Sequence, residues 1–78
     1  MATVPTPEDS ARAILAIFKS KDVRAGGILM AGQVNLQFLT SGGKAADYEA
    51  GGQYAIAHGW IELSSSTMKL TDAGFAEM

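Results

Sequence analysis

Apolar residues fall in two rhythms along this chain. Ala11, Ile14, Leu15 and Phe18 recur at i, i+3, i+4 and i+7, one stripe of a helix, which Ile17 widens. Thr6-Pro7-Glu8-Asp9 just before it reads as a helix start. Thr6 caps free N–H groups, Pro7 sits where its missing N–H costs nothing, and the two acids face the positive end of the dipole. This predicts a first helix from Pro7 to about Ser20, after a short flexible tail over residues 1–5. Val34 and Phe38, with Leu39 beside them, suggest a second helix over Met30 to Thr40. A strand over Val34–Phe38, which alternates cleanly, is the competing reading. Between the two helices, Gly26-Gly27 marks a turn and Ile28-Leu29 a very short strand.

The run from Lys44 to Gly74 organises the rest. Thr40-Ser41-Gly42-Gly43 is a turn. A third helix is expected from about Ala45 to His58, stopped by Gly59 in the left-handed region. Trp60–Leu63 and Thr67–Leu70 flank Ser64-Ser65-Ser66 and predict a hairpin, with Ile61, Leu63, Met68 and Leu70 turned inward. Thr71 caps a last turn containing Ala73, Phe75 and Ala76.

The segments H-G-W-I-E-L and L-T-D-A-G-F resemble the end of the third helix, the wing and the following turn of the winged helix-turn-helix superfamily. The resemblance covers the whole chain as an order of elements and implies an α+β fold of the form α-β-α-α-β-β. It specifies the fold more than any one family. It also implies that the third helix is a recognition helix for the DNA major groove, with the wing on the backbone.

On the third helix, Tyr48, Gly51, Gly52 and Ala55 fall on one face, assigned to the core, with the two glycines letting the first helix approach. Ala46, Ala50, Gln53, Tyr54 and Ala57 fall on the opposite face, with Asp47 and Glu49 on its flanks. Only Gln53 there suits a base edge, and Tyr54 would stack or meet a phosphate. No Lys or Arg follows Lys44 within the helix. The remaining candidates for phosphate contact are Arg24, Lys44 and Lys69. Two readings result. The first is a small DNA-binding or transcription-associated protein using Lys44, Gln53, Tyr54, Lys69 and Arg24 on double-stranded DNA. The second is a protein-contact module, homodimeric in one version, using Ala46, Ala50, Tyr54 and Ala57.

Composition narrows the choice. The 78 residues suit one domain, and their net charge of −2 disfavours a nucleic-acid surface. With no cysteine and one histidine, thiolate chemistry and a His-rich metal site are excluded. Ser41-Gly42-Gly43-Lys44 lacks the P-loop glycine at position 38 and the hydroxyl at 45, so it reads as a turn. His58 is read as a helix-end group and Trp60 as a half-buried hairpin aromatic. No arrangement of carboxylates and nucleophiles meets the needs of catalysis, so no enzyme activity and no cofactor are expected. No leader or 18-residue apolar run is visible, and the expectation is a soluble cytoplasmic protein.

Overall fold

A computed structural model describes residues 6–78, so the tail expected over residues 1–5 lies outside the described residues. The order of elements is α1 (Pro7–Ser20), β1 (Ile28–Met30), α2 (Ala31–Thr40), α3 (Ala45–Ala57), β2 (Ile61–Ser64), β3 (Thr67–Leu70) and α4 (Asp72–Ala76). This is an α+β architecture with an open three-stranded antiparallel sheet in the order β1-β3-β2. Residues 34–38 are helical, which removes the strand reading.

Local chemistry accounts for the ends of α1. Thr6 accepts from the Asp9 N–H and Asp9 accepts from the Thr6 N–H, each at 3.1 Å, a reciprocal capping box. The expected stripe is the core face: Ala11, Ile14, Leu15, Ile17 and Phe18 are all buried. They meet Val34 and Phe38 from α2, Ala55 from α3, and Trp60, Ile61, Met68 and Leu70 from the sheet side. Trp60 is only 6% exposed, so it belongs to the core and is not the half-buried aromatic expected.

In the sheet, Ile28 pairs with Lys69 and Ile61 with Leu70, while Glu62 lies across from Lys69 and Leu63 across from Met68. Alternation therefore points Ile61, Met68 and Leu70 inward and Ile28, Met30, Glu62 and Lys69 outward. Leu63 departs from expectation. It shares the inward register, yet it is 53% exposed. It sits on an edge strand near the turn, outside the core cluster. The hairpin loop is also tighter than the three serines suggested: Ser64 pairs with Thr67, leaving Ser65-Ser66 as a two-residue turn.

The two glycines of α3 behave differently. A Cβ at Gly51 would stand 2.7 Å from the Ser10 backbone and side chain and 2.8 Å from the Ala11 nitrogen. The backbones of α1 and α3 touch there, as expected. At Gly52 an added Cβ would meet nothing within 4 Å, so close approach does not explain that glycine.

A second tight joint closes the chain. Gly59 takes φ +70° and turns the chain out of α3. The Thr71 hydroxyl accepts from the Gly74 N–H at 3.0 Å and faces the carbonyls of Gly59 and Trp60. A Cβ at Gly74 would collide with the Trp60 carbonyl. The L-T-D-A-G segment thus has a steric and hydrogen-bonding cause in this chain.

Gly51→Ala should lower stability by about 1–3 kcal/mol through overpacking against Ser10 and Ala11. Gly74→Ala should destabilise by the same mechanism. Gly52→Ala should be neutral or stabilise by up to about 1 kcal/mol, because alanine is the better helix former and has room. Urea unfolding of the three variants separates these outcomes.

Candidate interaction face on the third helix

Tyr48, Ala55 and the contact at Gly51 set the rotation of α3. The Tyr48 hydroxyl donates to the Ala31 carbonyl at 3.2 Å, and its ring lies 5.5 Å from that of Phe38. Ala55 and Gly51 are fully turned into the core side. What remains outward is a stripe of Ala46, Glu49, Gln53, Ile56 and Ala57. At 100° per residue these fall within one side of the helix.

Several placements differ from the sequence reading. Glu49 is exposed one turn before Gln53 and belongs to the outward stripe. Asp47 is half-buried and turned toward α1. Tyr54 is withdrawn from the outward face. Its ring stacks on His58 at 3.9 Å and meets Trp60 edge-on at 5.5 Å. Ala50 is half-buried, whereas Ala46 and Ala57 are exposed as expected. Ile56, 42% exposed, belongs to the face and escaped the sequence reading. Its position one residue after the buried Ala55 was the available signal.

The candidate cations have different immediate neighbours. Lys44 is the N-cap residue of α3 and lines a groove with Asp9 and Asp47. Arg24 lines a depression beside Lys19, Asp22 and Phe75. Lys69 projects from the outer sheet face, directly across from Glu62. Arg12 is engaged elsewhere. It reaches Glu8 at 3.1 Å and Glu77 at 3.0 Å, and its guanidinium lies 5.0 Å from the Trp60 ring centre. The hydrogen bond to Glu77, then that to Glu8, hold its proton more firmly than usual.

His58 closes α3 as expected, with Nδ1 2.9 Å from the Tyr54 carbonyl. Desolvation raises the Tyr54 phenol above its ordinary range, and the charge of Glu8 adds to this. Burial alone raises Tyr48. Among the described residues no group of His, Asp and Glu is placed to hold a metal ion. Among the same residues, no helix is long and apolar enough to cross a membrane. Comparison with family models, with curated proteins and with solved structures finds no match.

The raised Tyr48 value has a signed consequence. Folding favours the neutral phenol, so this contribution is full below the unfolded pKa of about 10 and is lost as pH rises through the folded value. Tyr48→Phe should therefore lose less stability than the parent chain between about pH 9 and pH 12. Melting temperatures across that window give the comparison. Equal alkaline losses in the two proteins would contradict it.

Proposed function

We propose that this chain is a protein-contact module on a winged-helix scaffold, docking through the outward face of α3. One observation carries the reading: that face offers Ala46, Glu49, Gln53, Ile56 and Ala57, an exposed isoleucine among small residues, and no cation. Small side chains let a partner approach closely, and an exposed aliphatic anchor gains by being covered. Glu49 on this face would repel a phosphate backbone.

The DNA reading keeps one support. The order of helices and strands, with the sheet order β1-β3-β2, is compatible with a winged helix, and Gln53 is exposed in the middle of α3. In that reading Gln53 reads a base while Lys44, Lys69 and Arg24 meet phosphates, and Tyr54 would have to leave its stack on His58. Three cations provide little counterion release. The winged-helix assignment itself rests on this order of elements.

A photo-crosslinking residue at position 53, used in the native cell, tests the choice. The expected product is one discrete protein adduct, heterologous or a second copy, that disappears with Ile56→Asp while the fold is retained. Adducts to nucleic acid, or protein adducts indifferent to Ile56→Asp, would sink the reading. In parallel, random-sequence duplex at low salt should leave the amide shifts of Glu49, Gln53 and Ile56 in place.

A further inference from the structure

β2 is an edge strand of the sheet, paired with β3 on one side only. The Thr71 N–H donates to the Trp60 carbonyl at 3.1 Å, one residue beyond the Ile61–Leu70 pair. In an antiparallel ladder this makes Ile61–Leu70 and Leu63–Met68 the non-hydrogen-bonded pairs, and Glu62–Lys69 and Ser64–Thr67 the bonded ones. The N–H and C=O of Leu63 therefore point away from β3, to the open edge. Among the described residues no backbone bond of a turn, loop or cap uses them. The other edge is different. β1 runs directly into α2, and Met30 is the N-cap, whose carbonyl belongs to the first helical turn.

The same residue presents an uncovered apolar side chain. Leu29 lies opposite Met68, and Met68 opposite Leu63, so the three form one row across the inward face of the sheet. Leu29 is half-buried against the core and Met68 is buried, but Leu63 ends the row exposed. Natural edge strands are commonly blunted by proline, lysine or a bulge. The four residues of β2, Ile61–Ser64, contain neither proline nor lysine, and their register with β3 is continuous. Their one charge is Glu62, on the outward face across from Lys69.

We infer that β2 pairs antiparallel with β2 of a second copy of this chain, about a two-fold axis at Leu63. Leu63 of each copy then donates its N–H to the carbonyl of the other, the bonded geometry its orientation calls for. The apolar row continues through the axis, Leu29-Met68-Leu63 meeting Leu63-Met68-Leu29 across six strands. Charge selects this register. An axis at Leu63 sets Glu62 across from Ser64 of the second copy. An axis at Glu62 also matches outward groups, Ile61 with Leu63, but it places two glutamates directly opposite in a close pair, which is destabilising. The pairing is isologous, so it closes at two copies. It is also short, well below the size of a stable interface, so the dimer is weak and forms with rising concentration. The inference does not depend on the outward face of α3, which shares no residue with β2.

Sedimentation of the whole chain, over concentrations rising to about 1 mM, should show a monomer–dimer equilibrium and no larger species. Along the same series the Leu63 amide should exchange more slowly with solvent as its N–H becomes bonded. Leu63→Lys should keep the chain monomeric at every concentration, with the melting temperature of the dilute parent. If lysine unfolds the hairpin, Leu63→Thr, which keeps strand preference, takes its place. The chain has no cysteine, so an introduced thiol reports the register. Leu63→Cys should form an intermolecular disulfide under mild oxidation, and Glu62→Cys far less of one. Equal or preferred linkage through position 62 would overturn the inference, as would open-ended oligomers or exchange at Leu63 that ignores concentration. A chain that stays monomeric throughout would also overturn it and leave the edge to a strand of another protein. A dimer lost in Ile56→Asp but kept in Leu63→Lys would overturn it while leaving the proposed function standing.

Discussion

The close contact between α1 and α3 at Gly51 is the constraint on which the rest of the molecule depends. A side chain there would meet Ser10 and Ala11 at less than contact distance, so only glycine lets the two backbones touch. That contact fixes the rotation of α3. Tyr48 then faces Phe38 and the start of α2, Ala55 enters the core, and Tyr54 is carried toward Trp60 and His58. The outward stripe is whatever remains. Which side chains α3 leaves outward therefore follows from a packing event on the opposite side of the helix.

Much of the architecture was legible because backbone chemistry is local. Thr6, Pro7 and Asp9 announce the start of α1, and Gly59 announces the end of α3. Every residue of the apolar stripe of α1 is buried, and Ser10 joins that face where α3 packs. What the sequence could not show depends on where elements end relative to one another. Leu63 has the right alternation for burial, but alternation says nothing about an edge strand outrunning the core. Gly51 and Gly52 look alike as neighbours in a helix, and only the position of α1 separates them. Tyr54 lies near the boundary of the two faces of α3. A modest rotation and the pull of two aromatic rings decide its side.

Arg12 shows the same limit from another direction. In sequence it is a cation off the apolar stripe of α1. In the fold it lies over Trp60 and joins Glu8 to Glu77, so the first and last helical segments meet at one side chain. Its partners are exposed, and each ion pair alone contributes little. Its guanidinium plane covers the ring of a core residue at the turn where α3 ends and β2 begins. The packing, more than the charge, makes it part of the structure.

Each of the six cations has its own local setting. Arg12 is taken by two glutamates. Lys69 lies across from Glu62, and Lys44 lines a groove that Asp9 and Asp47 also line. Lys19 and Lys21 lie at the end of α1, where the helix dipole favours positive charge. Arg24 follows in the same region, beside Lys19 and Asp22. None of the six stands on the outward stripe of α3. A nucleic-acid interface draws its affinity from cations concentrated along a phosphate backbone. Among the described residues only Arg12 is held in ion pairs, while the exposed large apolar side chains are Ile28, Met30, Leu36, Leu39, Ile56, Leu63 and Phe75. On the reading proposed for α3, affinity would come from covering apolar area.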